Sequence, residues 1–469
     1  MRRPYLAGLL PFKTKPNAMT NAILQGAKLW EVLKPTYWNL EKYKLMNDKR
    51  KFPSNSVFAG LFYLFCLLVT PFFLSGCEGP ASNGQFIVAK WHKQDLDAHL
   101  TRWLAIAPTP SGLLLSRFDR QWKAMPTQGG DLTTHSRLLF TMIVGYEITG
   151  DKHYLDAAIR GTEFLLNRFY DPQYGGFFSS VADDGKVINE SKNTYGHAFA
   201  LFALSHVARV TKEEKFRAAA LTAWSDINKH LRDSDGGFRP EAPRDFGPSS
   251  SLRNQNPVMH MFEALLALID ATGDPRAVAG AQSVGNFVLY KLLEGQNDGG
   301  AYIPEWYDEH WKALPTKEKG GYIDLGHQFE WSHLLATSER RGLPALYGDV
   351  AERLLKYAIK AGYDEIEGGI FNRAYPDGST DRDKYWWQQA EGLRALLVAA
   401  SSTNRRDLWR RYEQTQELVK DQFIDEVDGG WKFSGKRTCG AGRCGSEQPE
   451  PYHMVGMHLT ALNLVKSER

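Results

Sequence analysis

Cysteine is scarce in this chain, with four residues among 469, and that leaves little for a thiolate metal site. Zinc at Cys439 and Cys444 would need two further ligands, and the nearby His453 alone does not complete the set. An excess of one charge is lacking as well. A formal net charge of +3, with basic residues scattered and no basic recognition motif, excludes an electrostatic case for a nucleic-acid partner. Disorder bias is also absent: 43% of residues are hydrophobic and 24% charged, the balance of a folded protein.

What is present is uneven. Val57 to Leu74 is an uncharged apolar run, preceded by Lys49-Arg50-Lys51 and closed by Leu74-Ser75-Gly76-Cys77. A basic region, an apolar core and small residues before a cleavage point describe an export signal. The ending resembles the lipobox of bacterial lipoproteins, in which the cysteine is lipidated and becomes the mature N-terminus. A membrane-spanning anchor is the other reading of such a run; Pro71 and the lipobox favour the lipoprotein. Met46 would open a signal of ordinary length, so residues 1–45 read as an upstream extension, 46–77 as the signal and 78–94 as a linker. The expected location is the bacterial cell envelope, facing the periplasm on a lipid anchor. In that oxidising compartment Cys439 and Cys444, close together across a Gly-rich loop, are candidates for a disulfide.

From about residue 95 onward one pattern repeats. Gly-Gly pairs stand at 129–130, 175–176, 236–237, 299–300, 368–369 and 429–430, at spacings of 46, 61, 63, 69 and 61. Most follow acidic residues and precede an aromatic, as in Asp171 to Phe177 and Asp425 to Trp431. Such periods mark a repeat architecture. Each interval holds two helical segments: Ala198 to Leu204 is apolar nearly all round, and Lys215 to Leu231 is amphipathic. Turns such as Thr149-Gly150-Asp151 and Thr272-Gly273-Asp274 separate the two. The predicted fold is all-α, an (α/α)6 toroid over 95–469 with short β pieces beside the Gly-Gly loops. An open solenoid is the alternative; six units suit closure.

Polar and aromatic groups interrupt four of the apolar segments. They are Asn256-x-x-Met259-His260-x-x-Glu263-Ala264, Gly326-His327-x-x-Glu330-Trp331, Tyr385-Trp386-Trp387-Gln388-Gln389-Ala390-Glu391 and Glu450-Pro451-Tyr452-His453. In the first two, His and Glu lie three apart and share a helix face, where a carboxylate fixes an imidazole tautomer and raises its basicity. Helix pairing inside the barrel is the structural reading of Glu263, Glu330 and Glu391. Two His-x-x-Glu pairs also resemble half of a carboxylate-bridged metal site, but di-iron bundles use the reverse order. The chain has 13 Trp, 20 Tyr and 25 Phe, rings that serve either core packing or stacking on sugars.

Taken in this order, the four motifs resemble the N-acylglucosamine 2-epimerase family, which includes cellobiose 2-epimerases, mannose isomerases and sulfoquinovose isomerases. The resemblance implies acid–base roles for His327 and His453 and ring opening and sugar binding for His260. It also implies an Arg facing the reacting oxygens, at Arg137 in Thr133-Thr134-His135-Ser136-Arg137. It implies sugar contacts for Tyr195, Asn256, Trp386 and Trp387, and Glu263, Glu330, Gln388 and Glu391 of the same motifs are further candidates for substrate binding. The substrate expected is a free mono- or disaccharide, with no cofactor and no metal; the oligomeric state is not set. Members of the family are usually cytoplasmic, and here a Cys-containing insert precedes Pro451. The rivals are an (α/α)6 glycoside hydrolase or lyase using Glu263, Glu330 or Glu391 across a scissile bond, and a glycan-binding lipoprotein that needs the Trp residues but not the histidines. One outcome is specific to the N-terminus. Cys77→Ala should release the protein from the membrane fraction or leave it unprocessed; normal anchoring, read by fractionation and mass spectrometry, would dismiss the lipobox.

Overall fold

The computed structural model describes residues 81–126, 129–249, 251–403, 405–436 and 445–467. The run 57–74, Cys77, Cys439 and Cys444 lie outside them. Among the described residues the chain forms twelve α-helices, alternately outer and inner. The outer ones are α1 (Ala81–Ile106), α3 (Lys152–Phe164), α5 (Glu214–His230), α7 (Pro275–Phe287), α9 (Leu346–Gly362) and α11 (Arg406–Gln422). The inner ones are α2 (Leu132–Thr149), α4 (Thr194–Thr211), α6 (Gln255–Thr272), α8 (Leu325–Ala336), α10 (Trp386–Thr403) and α12 (Tyr452–Ser467). Each inner helix packs on the next, and α12 returns to α2. The ring is closed, as a toroid requires and a solenoid does not.

The two helix classes follow from their residues. In α4 the stretch from Gly196 to Ser205 is buried throughout, because the helix is packed on both sides. In α9 only Tyr347, Val350, Ala351, Leu354, Leu355, Ala358 and Gly362 are buried, one stripe at helical spacing. Four inner helices begin at an Asx cap: Asp131, Asn193, Asn254 and Asp324 each accept a first-turn N–H.

The six repeat Gly-Gly pairs all fall in connections that run from an outer helix to the start of the next inner helix, so they gather at one end. Their acidic residues are structural. Asp171 takes Lys192 at 3.0 Å and Arg244 at 2.9 Å, Asp233 takes Arg253 at 3.2 Å, and Asp364 takes Lys384 at 2.9 Å. Asp425 pairs with Arg120. A polar residue in the first turn of the inner helix then clips the loop's backbone. The His197 ring accepts the Phe177 N–H at 2.8 Å, and Gln389 Oε1 accepts that of Ile370 at 2.7 Å. Gln328 does the same for Ile303 at 2.8 Å. Gly176 has φ +65°, and a Cβ there would lie 2.7 Å from the His197 ring nitrogen; the clip needs glycine on both counts. The strands are two or three residues long; four of their pairings join successive connections, as where 130–131 pairs with 180–181, and the others fold a connection on itself.

The linker expected over 78–94 is not one: α1 begins at Ala81. Its residues have partners on the far side of the closure. His92 Nδ1 lies 2.7 Å from His458 Nδ1 on α12, and the His458 Nε2–H reaches Asp95 at 2.8 Å. Trp431 also donates to Asp95, at 2.9 Å. First and last helices are thereby tied together. The loop clips yield a stability test. Lys192 and Asp171 are both fully buried, and an ion that loses a buried partner is costly. Asp171→Asn should lower unfolding free energy by about 3–5 kcal/mol, measured by urea denaturation; an unchanged midpoint would contradict the pairing.

Candidate active site

A cleft of about 800 Å³ opens at the Gly-Gly end of the toroid. Inner helices supply Arg137, Tyr195, Asn256, His260, His327, Trp386, Trp387 and His453 to its walls, and the connections supply Ser179, Asn189, Ser191, Glu241, Glu305, Trp306 and Tyr322. The three histidines named by the motifs therefore share one cavity, and they share one chemistry.

Each imidazole rests its Nδ1 on a buried carboxylate. His260 meets Glu263 at 3.0 Å, His327 meets Glu305 at 2.8 Å and His453 meets Glu391 at 2.7 Å. An ionised carboxylate only accepts, so each ring holds its proton on Nδ1 and keeps Nε2 for the cleft. Glu305 is fixed in turn by Asn254 at 3.1 Å and Gln255 at 2.7 Å, and Gln255 accepts from Trp331 at 2.6 Å. Trp387 lies against both His327 and His453, with ring centroids 5.0 and 5.5 Å away. Gly326 makes room for that ring, since a Cβ there would fall 2.6 Å from it.

The three dyads are not equivalent. Burial pulls His260 down to about 4 against the opposing pull of Glu263. Burial acts on His327 too, but Glu305 and Asp324 outweigh it and push the ring up to about 10. At neutral pH His327 is an imidazolium and His260 is neutral. Arg137 donates to Glu450 at 2.7 Å and to Tyr195 at 2.6 Å, and lies over the rings of Phe199 and Tyr452. That leaves a fixed cation on the cleft wall.

The structure corrects several sequence expectations. His327 is backed by Glu305, from the connection before its helix, and not by Glu330, three residues on. Both Glu330 oxygens are buried and have no hydrogen-bond partner among the described residues. Burial, with Glu391 and Glu263 beside it, raises its pKa well above the usual carboxylate range, so it holds its proton. Glu263, Glu330 and Glu391 are buried behind the cleft, not on its lining. Gln388 is likewise buried, donating to Asn372 at 2.9 Å. None of these four, expected as sugar contacts, lines the cleft. Two overlapping donor sets, His260–Glu263–Glu330 and Glu330–Glu391–His453, are close enough to share a cation. Arg394, 3.9 Å from Glu263 and 3.7 Å from Glu391, already brings positive charge there. Sequence reasoning missed Glu305, Asp324, Trp306 and Tyr322, which sit on or at the end of a connection that carries no helical periodicity.

Residues 114–455 match the family model described as N-acylglucosamine 2-epimerase (GlcNAc 2-epimerase). The chain belongs to that family. A D-mannose isomerase from Marinomonas mediterranea is 27% identical over 72% of this chain and 88% of its own length. A cellobiose 2-epimerase from Bacteroides fragilis is 23% identical over 73% of this chain and 90% of its own. The solved cellobiose 2-epimerase of Spirochaeta thermophila has a TM-score of 0.74 at 22% identity, covering 83% of this chain and 99% of that one, and it shares the fold. Family membership places the chain among carbohydrate epimerases and isomerases.

The His327–Glu305 dyad is testable without a substrate. A group raised in the folded state binds its proton more tightly than in the unfolded chain, so its stabilisation is complete below about pH 6.5. It is lost as pH climbs through about 10. In Glu305→Gln the titration of His327, followed by NMR, should move to lower pH, and the wild type's stability advantage should shrink towards alkaline pH. A midpoint unchanged by the substitution would contradict the dyad.

Proposed function

We propose that the protein is a sugar 2-epimerase or aldose–ketose isomerase acting on a free reducing mono- or disaccharide, by proton transfer between His327 and His453 through an enediolate. The observation that carries this reading is the set of three imidazoles, each braced at Nδ1 by its own carboxylate, around a cleft that also holds Arg137. Once the ring opens, which His260 assists, the hydrogen at C2 is acidified by the adjacent carbonyl. His453 takes it. Arg137 stabilises the enediolate electrostatically, and the charged His327 returns a proton. Delivery to C2 from the opposite face gives the epimer, and delivery to C1 gives the ketose. Trp386 and Trp387 supply flat apolar surface for a sugar ring, and Tyr195 and Asn256 supply polar contacts. A glycosidase reading would assign the scissile bond to Glu263, Glu330 and Glu391, and their place behind the histidines speaks against it.

We also propose that the enzyme works in the cell envelope, tethered through lipid on Cys77; the support is the sequence from Val57 to Cys77. Among the described residues no helix is long and apolar enough to cross a membrane.

The test uses NMR of free sugars incubated with the enzyme in D2O. Deuterium should appear at C2 of an epimer or C1 of a ketose. His327→Asn and His453→Asn should each lose on the order of 100- to 10,000-fold in turnover while still binding sugar. Trp386→Ala should raise KM more than it lowers kcat. Near-normal exchange in both histidine variants, with glycoside cleavage abolished by Glu330→Gln or Glu391→Gln, would make the protein a hydrolase.

A further inference from the structure

Glu391 serves two histidines. Its Oε1 holds His453 Nδ1 at 2.7 Å, and its Oε2 is 2.9 Å from Nε2 of His333. We infer that His333 is a positioning residue for the proton-transfer pair: by occupying Oε2 of Glu391 it fixes the carboxylate that fixes His453.

Glu391 is fully buried and His333 nearly so, and neither ring nitrogen of His333 is needed by the cleft. Burial opposes the charge of Glu391, but the hydrogen bonds from His333 and His453, with Arg394 nearby, hold its pKa well below the usual carboxylate range. As an ionised carboxylate it has no proton to give, so both rings donate to it. Burial keeps His333 itself below its ordinary value, which makes it a neutral donor. Without that donor Oε2 would face only Arg394, whose Nη1 is 3.7 Å away. The carboxyl group could then turn towards the guanidinium and draw Oε1 off His453. The other charged or titratable groups around this point are Glu330, within 4.8 Å of Glu391 and His453, Glu263 beside Arg394, and His260 paired with Glu263. Glu330 holds its proton and Glu263 is engaged, so His333 is the group left to hold Oε2.

Its position in the fold adds a consequence. His327, Glu330 and His333 are spaced by three on α8, so successive turns of one helix carry one member of the pair and the residue that orients the other. A shift or tilt of α8 would disturb both.

This inference rests on the proposed proton transfer, and its test separates the two. Long-range 1H–15N spectra of the free enzyme report the His453 tautomer without any substrate. The wild type should show the proton on Nδ1, and His333→Leu should show a mixture or the Nε2 form. In turnover, His333→Leu should lose roughly tenfold to a hundredfold in kcat, the range one charge-assisted hydrogen bond carries, with KM little changed. His333→Gln, whose amide N–H can reach Glu391, should restore most of it. Where the leucine variant does not fold, His333→Asn, which keeps polarity but falls short of Glu391, gives the same reading. An unchanged tautomer in the non-donor variant, or equal losses in the Gln and Leu variants, would overturn the role of His333. Absence of exchange by the wild type with every sugar would instead overturn the proton-transfer reading.

Discussion

Ionised groups buried along the axis of a helical toroid have to neutralise one another, and the site is what that requirement leaves behind. The inner helices bury Glu263, Glu330 and Glu391 beside the part-buried Arg394, where an unpaired charge is far more costly than at the surface. Two of the carboxylates settle on histidines and share the guanidinium. The third keeps its proton. Because histidines answer the carboxylates, their tautomers are set by packing before any sugar arrives, and the cleft is lined with imidazoles that all offer the same nitrogen.

The same economy governs the connections. A loop that leaves an outer helix must reverse and reach the axis, and an aspartate beside four of the six tight Gly-Gly turns is locked there by a lysine or arginine from an adjoining segment. The cations differ while the aspartate recurs, so the repeat tolerates drift in one partner. This is why the acidic residues could be noticed in sequence while their function could not: they hold loops, and the loops hold the cleft.

Much of the fold was legible because it is periodic. Gly-Gly spacing, helices apolar all round beside helices with one apolar stripe, and Gly–Asp turns between them led to the toroid. The histidines were legible because their motifs are local. What failed was long-range pairing. His327 and Glu330 lie on one helix face, yet the imidazole turned outward to Glu305, more than twenty residues earlier in the chain (the 305–327 separation). Nothing in Ile303-Pro304-Glu305-Trp306 announces that contact, because it depends on how a connection folds over the helix that follows it. Gln388 was misassigned for the converse reason. Its neighbours Trp386 and Trp387 line the cleft, but the side chain turns inward to Asn372. The expected linker failed because α1 is held by α12 and Trp431 from the other end of the chain.

The direction of the inner helices carries a consequence of its own. All six start at the Gly-Gly end, and the cleft is lined by residues of their first two turns. Each helix start bears about half a unit of positive charge from its aligned peptide dipoles. Six of them converge on one cavity, a field that belongs to the backbone and that no single side-chain replacement removes. An oxyanion forming there is stabilised by the architecture before any particular residue is counted. The Asx caps at four of those starts then act as adjustable screens, with Asp131 and Asp324 weakening the field locally and Asn193 and Asn254 leaving it open.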